Sequence, residues 1–196
     1  MSSRIKLVVG LGNPGPEYDL TRHNAGADWI TELARQYGAS LNFEQRFFGN
    51  TARVAIGGQD IRLLIPTTFM NRSGQAVAAI SNFYKIQPDE ILIAHDELDL
   101  NPGTAKLKVG GGHGGHNGLR DIISSLGNNK NFSRLRIGIG HPGNSSQVAN
   151  YVLKRPSKDD QISIEDSTNR ATKVLEEIVS GNLQNAMLTL HSSNNG

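Results

Sequence analysis

The sequence predicts an α/β fold: a single domain in which helices flank both faces of a twisted mixed β-sheet. The length of 196 residues suits one domain with a sizeable core. Strand-like and helix-like segments alternate along the chain, which favours a largely parallel sheet. Two adjacent strand-like segments are joined by Gly57 and Gly58, as in a β-hairpin, so part of the sheet should be antiparallel. We therefore expect residues 1–196 to form one domain.

The first half of the chain carries two predicted strand regions and two predicted helices. Apolar and β-branched residues over 5–9 predict a buried strand that ends at Gly10. Apolar side chains recur at three- and four-residue intervals over 25–37, which predicts an amphipathic helix closed by Gly38. Residues 47–56 and 60–65 predict the hairpin. Ser73 is expected to cap a second helix, whose apolar face comprises Ala76, Val77, Ile80, Phe83 and Tyr84.

The second half continues the alternation. Residues 90–95, 104–109 and 134–139 predict strands, and residues 119–126 predict a helix. From Pro156 the chain is acidic and helical up to Gly181. Residues 192–196 are expected to be a frayed tail.

Composition excludes several classes of protein. The apolar runs are far shorter than a bilayer-spanning segment, so a soluble protein without a membrane span is expected. The N-terminal residues enter a strand without the apolar core of a signal peptide, and the chain has no cysteine. A cytoplasmic location is therefore expected, and thiol catalysis and cysteine-ligated zinc are excluded.

The formal net charge of +2 conceals two opposite clusters. Residues 86–100 carry five acids and no Lys or Arg, whereas residues 101–140 carry six basic residues and one acid. Lys106 and Lys108 alternate along one predicted strand, and Arg134 and Arg136 along the next, so each pair faces one side. Either this face contacts a nucleic-acid phosphate backbone, or it is an ordinary solvated sheet edge.

The segment Gly10–Gly15 matches the G-x-G-x-x-G dinucleotide fingerprint, but its context disfavours a dinucleotide cofactor. Pro14 keeps the preceding residue out of helical conformation, and the next helical periodicity begins only near Ala25. Glu32 has the spacing of the ribose-binding acid but falls inside the predicted helix. The glycines are better interpreted as a tight turn that supports Asn13 at the carboxyl end of the first strand.

The candidate chemistry is general-base hydrolysis. No nucleophile elbow is present, so water activated by an imidazole is the simpler hydrolytic design. His23 follows the first strand and Asp96 closes a later one, which makes a His–Asp dyad reasonable, although Asp96 could equally be one acid of a solvated turn. Asn13, Asn71 and Asn117 could donate to a developing oxyanion or could simply be turn residues.

A second glycine-rich segment, residues 110–118, allows three interpretations. It lacks the Lys-Ser/Thr ending of a P-loop, although its backbone amides could hold an anion. His113 and His116 could bind a metal ion together with Asp96, but a glycine-rich loop does not hold them at helical spacing. The third interpretation is a packed or mobile turn without a ligand.

Five ordered motifs closely resemble the bacterial peptidyl-tRNA hydrolase family. They are GLGNPGPEYDLTRHNAG at 10–26, PTTFMNRSG at 66–74, HDELDL at 95–100, GGGHGGHNGLRDI at 110–122 and RLRIGIGHPG at 134–143. The resemblance covers about residues 4–155 and is weak over 144–196. It implies a metal-independent and monomeric α/β enzyme that hydrolyses the ester between a peptide, or an N-blocked amino acid, and the 3′ end of tRNA.

The resemblance also implies roles for individual residues. His23 would activate water, Asp96 would stabilise its reactive form, and Asn13 would help to discriminate blocked from free aminoacyl groups. Asn71 and Asn117 would bind the peptide or the 3′-terminal part of the substrate. The cleft would be lined by Tyr18, Phe69, Met70, Gly114 and His116, and the tRNA phosphates would be met by Lys106, Lys108 and Arg136.

The expected partner is peptidyl-tRNA, through its acceptor end, with no cofactor, no metal, no membrane and no obligate protein partner. Two alternatives remain at this point. The basic stretch alone would suit a non-catalytic RNA-binding module, and the first glycine loop alone would suit a dinucleotide-dependent oxidoreductase.

Overall fold

The computed structural model describes residues 2–194, and its framework is a seven-stranded mixed sheet in the order β2-β3-β4-β1-β5-β7-β6. The strands are β1 Leu7–Gly10, β2 Asn42–Glu44, β3 Gly49–Ile56, β4 Gln59–Pro66, β5 Ile91–Glu97, β6 Ala105–Val109 and β7 Ser133–Gly138. The helices are α1 Ala25–Gln36, α2 Ser73–Tyr84, α3 Asn117–Ser125, α4 Val148–Val152, α5 Lys158–Lys173, α6 Leu175–Val179 and α7 Leu183–Ser193. The predicted α/β fold class, with helices on both faces of a mixed sheet, is confirmed.

Parallel pairing is confined to the middle of the sheet. β1 lies between β4 and β5 and is parallel to both, and β5 is parallel to β7. β3 pairs with β4 as the predicted antiparallel hairpin, and β6 closes the other edge antiparallel to β7. The carboxyl ends of β1, β5 and β7 therefore meet at one edge of the sheet, which is where ligands bind in open α/β sheets.

The core has one layer on each face of the sheet. Because side chains alternate along a strand, Leu7 and Val9 belong to one buried cluster while Val8 belongs to the other. α1 and the C-terminal helices cover the face of Val8, and α2 and α3 cover the opposite face. None of the helices within residues 2–194 is long and apolar enough to cross a bilayer.

Helix α2 departs from the prediction in two details. Ser73 is its first residue, and its Oγ donates back to the Met70 carbonyl at 2.7 Å instead of accepting from the helix, so the predicted cap is wrong. Phe83 is 56% exposed and does not belong to the buried face, although one side of its ring packs edge-on against Phe47, with ring centres 5.4 Å apart.

The C-terminal segment is more ordered than the sequence predicts. α7 continues to Ser193, and the Asn194 side chain donates to the Ala105 carbonyl at 2.7 Å and accepts from the Ala105 N–H at 3.2 Å. His191 Nε2 accepts from the Leu107 N–H at 3.0 Å. The predicted tail over 192–194 is thus wrong, because these side chains pair with the otherwise free edge of β6. Residues 195 and 196 lie outside the described residues.

Candidate active site

His23 and Asp96 are in direct contact at the carboxyl edge of the sheet. Asp96 is the next-to-last residue of β5, and His23 lies in a short turn, Arg22–Asn24, before α1. His23 Nδ1 is 2.9 Å from Asp96 Oδ2 and 3.0 Å from Oδ1. A proton on Nδ1 satisfies this contact, so the neutral ring carries its lone pair on Nε2, which has no hydrogen-bond partner within residues 2–194. His23 is therefore arranged as a base.

Glycines allow the close approach that brings these two side chains together. A Cβ on Gly26, in the first turn of α1, would lie 2.2 Å from the Ala94 carbonyl oxygen of β5. A Cβ on Gly10, at the end of β1, would lie 2.2 Å from the Gly26 carbonyl oxygen. Any side chain at either position would push α1 away from the strand ends, and His23 with it.

His116 is the second imidazole on the carboxylate. Its Nε2 donates to Asp96 Oδ1 at 2.8 Å, while its Nδ1 accepts from the backbone N–H groups of Gly118 at 3.1 Å and Leu119 at 3.3 Å. Those two amides are otherwise unpaired donors at the start of α3, so the ring also caps that helix. The two sets of bonds fix the tautomer with its proton on Nε2.

Burial and charge act in opposite directions on this cluster. Burial raises the pKa of Asp96, but His23 and His116 outweigh it and hold the pKa well below its ordinary value. Burial lowers the pKa of His23, but the Asp96 carboxylate outweighs it and the pKa is raised above 6.5. His95 is buried beside His116, and burial is the main cause that lowers its pKa to about 4. Asp96 is therefore ionised at neutral pH, and its carboxylate makes His23 a stronger base than a histidine of ordinary pKa.

Asn13 is held on both its backbone and its side chain. Its Oδ1 accepts from the Met70 N–H at 2.7 Å. Asn24 Oδ1 accepts from the Asn13 N–H at 2.8 Å, and Asn24 Nδ2 donates to the Asn13 carbonyl at 3.0 Å. This orientation leaves the Asn13 Nδ2 group as a neutral donor. Sequence reasoning did not single out Asn24, although its place directly after His23 was a signal.

The other two asparagines lie around the same junction. Asn71 is exposed in the turn Met70–Arg72, and Asn117 is exposed at the start of α3. A Cβ on Gly118 would lie 2.6 Å from Met70 Sδ, so the start of α3 packs against that turn. Asn117 Oδ1 accepts from Arg120, which leaves its Nδ2 group as a donor. The structure thus places the three predicted asparagines where the first glycine loop, the turn Met70–Arg72 and the start of α3 meet.

The residues predicted to line the cleft differ in exposure. The Phe69 ring is 57% exposed and meets Tyr18 edge-to-face, with ring centres 6.3 Å apart. Gly114 is exposed in the second glycine loop. Met70 is only 4% exposed, so its contact with Asn13 is made by the backbone and its thioether packs inward.

The predicted basic face contains three cations that reach solvent. Lys106 lies opposite Arg136 across β6 and β7, and Lys108 is the next residue on the same face. Neither lysine forms a salt bridge within the part of the chain that the structure describes, whereas Arg136 Nε is 2.9 Å from Glu97 Oε1.

Arg134 lies opposite Lys108 on the predicted face, but the prediction that it is a fourth cation available to phosphate is wrong. Arg134 is only 2% exposed, and its guanidinium donates to the carbonyls of Gly111 and Gly112. The second glycine loop folds over the strand at this point, so Arg134 acts as a clamp on the loop and is removed from solvent.

Two alternative sites can be compared with the structure. The ligand atoms of His23, Asp96 and His116 lie within 4.8 Å of one another, so these three could hold a metal ion if the ring protons that face Asp96 were displaced. His113 is not part of this group, and its Nδ1 accepts from the Gly115 N–H. The predicted metal site of His113, His116 and Asp96 is therefore wrong. α1 begins only at Ala25, so it does not start within the glycines as a dinucleotide site requires. Its first turn packs on that loop instead, and the Ala27 N–H donates to the Leu11 carbonyl at 3.0 Å.

Comparison with known proteins gives a consistent result. The family model described as peptidyl-tRNA hydrolase matches residues 7–196. The peptidyl-tRNA hydrolase of Teredinibacter turnerae is 60% identical over 193 residues, covering 98% of this chain and 100% of that protein. That of Haemophilus influenzae is 58% identical over 190 residues, covering 97% and 98%. The crystal structure of peptidyl-tRNA hydrolase from Acinetobacter baumannii has a TM-score of 0.94 and 49% identity, covering 97% of this chain and 96% of that one.

Proposed function

The chain belongs to the peptidyl-tRNA hydrolase family, and from that premise we propose that it cleaves the ester between a peptide, or an N-blocked amino acid, and the 3′ end of tRNA by means of water activated by His23 and Asp96. Its role would be to recycle tRNA from aborted translation. The observation that carries the mechanism is the Nδ1 contact of His23 with Asp96, at 2.9 Å, which leaves Nε2 as the basic atom.

The proposed reaction uses only groups of this chain and water. His23 Nε2 takes a proton as the water oxygen bonds to the ester carbonyl carbon, and Asp96 stabilises the imidazolium that forms. The tetrahedral intermediate then breaks its bond to the ribose oxygen, which receives the proton from His23. Neutral donors from Asn13, Asn71 and Asn117 are suited to the developing oxyanion and the peptide amide, because they require no counter-charge.

The acceptor end of tRNA would lie across the basic face. Lys106, Lys108 and Arg136 project from one face of β6 and β7, beside the loop that carries His116. Phosphate contacts by these side chains would make binding salt-dependent. Tyr18, Phe69, Met70 and Gly114 would border the peptide side of the cleft. The proposal further comprises a cytoplasmic monomer of one catalytic domain over 1–196, with no cofactor, metal or obligate protein partner.

The test is release of N-acetyl-aminoacyl groups from tRNA in the presence of EDTA. We expect cleavage by the wild type, poor cleavage of free aminoacyl-tRNA, and a loss of at least about 10²-fold in His23→Ala, because a general base supplies on the order of 10² to 10⁴ in rate. His141→Ala is the matched control, since that imidazole is exposed and, within residues 2–194, accepts only from the Gly143 N–H of its own loop.

Two results would contradict the proposal. Full activity in His23→Ala would show that His23 is not the base. Abolition of wild-type activity by EDTA would show that the reaction needs a metal ion. If the wild type bound tRNA in a salt-dependent manner without cleaving it, the chain would be an RNA-binding module instead.

A further inference from the structure

Three consecutive residues in the turn before α1 contact three different parts of the molecule. His23 contacts Asp96 of β5, and Asn24 pairs with the backbone of Asn13 in the first glycine loop. Arg22 contacts the segment around α4, which follows the sheet by sequence. In the proposed reaction His23 is the base and Asn24 orients Asn13, whereas Arg22 takes no part in the chemistry.

Arg22 is fixed by three contacts of different kinds. Its guanidinium carbon lies 3.8 Å from the centre of the Tyr151 ring, and its Nη1 donates to the Tyr151 carbonyl at 2.9 Å. Its backbone N–H donates to the Lys154 carbonyl at 3.0 Å. The turn that bears His23 is therefore attached to α4 by both main chain and side chain.

Tyr151 connects this attachment back to the strand that carries the carboxylate. Its hydroxyl donates to the Ile139 carbonyl at 2.6 Å, and the Ile139 N–H donates to the Glu97 carbonyl at 3.0 Å. Glu97 is the residue directly after Asp96. A closed circuit of contacts thus runs from His23 through Arg22, Tyr151 and Ile139 to β5, and the His23–Asp96 bond completes it.

We propose that Arg22, docked on Tyr151, is a positioning residue that sets the orientation of the His23 imidazole. The inference rests on the proposed function, in which His23 is the base. His23 lies in a turn of three residues that Asn24 anchors on one side, and its ring bond to Asp96 alone would allow Nε2 to swing about that bond. A second anchor on the preceding residue restricts this motion, and a misplacement of about 1 Å can cost on the order of 10²-fold in rate.

The geometry favours positioning over attraction of tRNA phosphate. The Arg22 guanidinium lies over an aromatic ring, its Nη1 is committed to backbone carbonyls, and its Nε is buried. A residue that served phosphate through its charge would present this planar group to solvent. Lysine at this position would keep the charge but lose the stacked plane and its fixed donors.

The experiment compares Arg22→Gln, Arg22→Lys and Tyr151→Phe with the wild type in the acyl-tRNA cleavage assay. We expect kcat in Arg22→Gln to fall about 10- to 100-fold while KM stays within about twofold, since the change affects the reacting geometry and not binding. Arg22→Lys should remain impaired. Tyr151→Phe, which keeps the ring but loses the bond to Ile139, should lower kcat less, and its effect should not add to that of Arg22→Gln.

The pH dependence of kcat/KM provides a readout that a purely structural role would not move. If Arg22 holds the ring against Asp96, its loss weakens the carboxylate's effect on the imidazole, so the acidic limb should shift to lower pH in Arg22→Gln. Arg155→Gln is the matched control: Arg155 Nε donates to the Asp19 carbonyl at 3.0 Å and joins the same two segments away from His23. Its kcat and pH profile should match the wild type.

The outcomes separate this inference from the proposed function. An inactive wild type, or a fully active His23→Ala, overturns the proposed function. With an active wild type and an inactive His23→Ala, an unchanged kcat in Arg22→Gln overturns the inference alone. A wild-type kcat in Arg22→Lys would also overturn the inference, because charge alone would then be sufficient. A rise in KM at constant kcat in Arg22→Gln would overturn it as well, because Arg22 would then act in substrate binding. If Arg22→Gln does not fold, kcat of Tyr151→Phe is compared with that of the wild type instead, and an unchanged kcat in that variant overturns the inference.

Discussion

The two glycine-rich loops of this chain, residues 10–15 and 110–116, require glycine for different physical reasons. In the first loop, a Cβ on Gly10 would meet the Gly26 carbonyl oxygen at 2.2 Å and one on Gly12 would meet the Ala27 Cβ at 2.8 Å. In the second, Gly112 and Gly114 have open space where a side chain would be. Gly10 and Gly12 thus allow close packing in the first loop, whereas Gly114 allows a left-handed backbone conformation in the second.

The loops also differ in how they are held and in what they present. Asn24 pairs with the backbone of Asn13 inside the first loop, so that loop is fixed from the base-bearing turn. Arg134 clamps the second loop from beneath by its carbonyls, while the loop itself stays exposed. The first loop is a rigid support for Asn13, and the second is an exposed surface that ends at His116. The second loop reaches Asp96 directly through His116, and the first is linked to it through Asn24 and the neighbouring His23.

Removing the charge of Asp96 should have the largest effect. In Asp96→Asn, kcat should fall about 10²- to 10⁴-fold with little change in KM, since the imidazolium loses its counter-charge. Catalysis needs neutral His23, whose pKa Asp96 raises against the effect of burial, so kcat/KM of the wild type should fall as the pH drops through a value above 6.5. In Asp96→Asn the acidic limb of kcat/KM should lie at lower pH than in the wild type. A collapse of affinity at constant turnover would make Asp96 a binding residue.

Alanine substitutions should separate the two uses of glycine. Gly10→Ala should lower the free energy of unfolding by about 2 kcal/mol or more, because the methyl group overlaps a backbone oxygen. Gly114→Ala should cost about 1 kcal/mol, since its φ is 58° but its surroundings are open. Urea unfolding measures both. Gly112→Ala, without a positive φ and without a neighbour, is the control, and equal losses at all three positions would refute the distinction.

The smallest expected effect concerns tRNA binding beside the second loop. Lys108→Ala should weaken tRNA binding and reduce the slope of log affinity against log salt by about 1, as expected for loss of one phosphate contact. Lys6→Ala is the matched control, because Lys6 is paired with Glu90 at 2.8 Å on another part of the surface. Titrations at several salt concentrations provide the measurement. An unchanged slope in Lys108→Ala would remove this side chain from the tRNA path.

The sequence predicted the His–Asp pair because the segment after one predicted strand carries His23, another predicted strand ends at Asp96, and the carboxyl ends of the two strands share one edge of the sheet. It placed Asp96 at the end of its strand and His23 after another, and the structure brings them to 2.9 Å. It did not reach Arg22, since Tyr151 is 129 residues away, and nothing local distinguishes that pair from two surface side chains. It misjudged Arg134 because strand alternation gives the face of a residue and not what covers that face.

The sequence by itself determined the α/β class, most helices and strands, the absence of a cysteine nucleophile and the family motifs, because periodicity, turn residues and composition are local properties. Only the tertiary structure decided the tautomers of His23 and His116, the burial of Arg134 under a glycine loop and the ordering of 192–194 on β6. Each of these depends on a hydrogen bond between residues distant along the chain. Such bonds form only when packing brings their partners together and excludes water from between them.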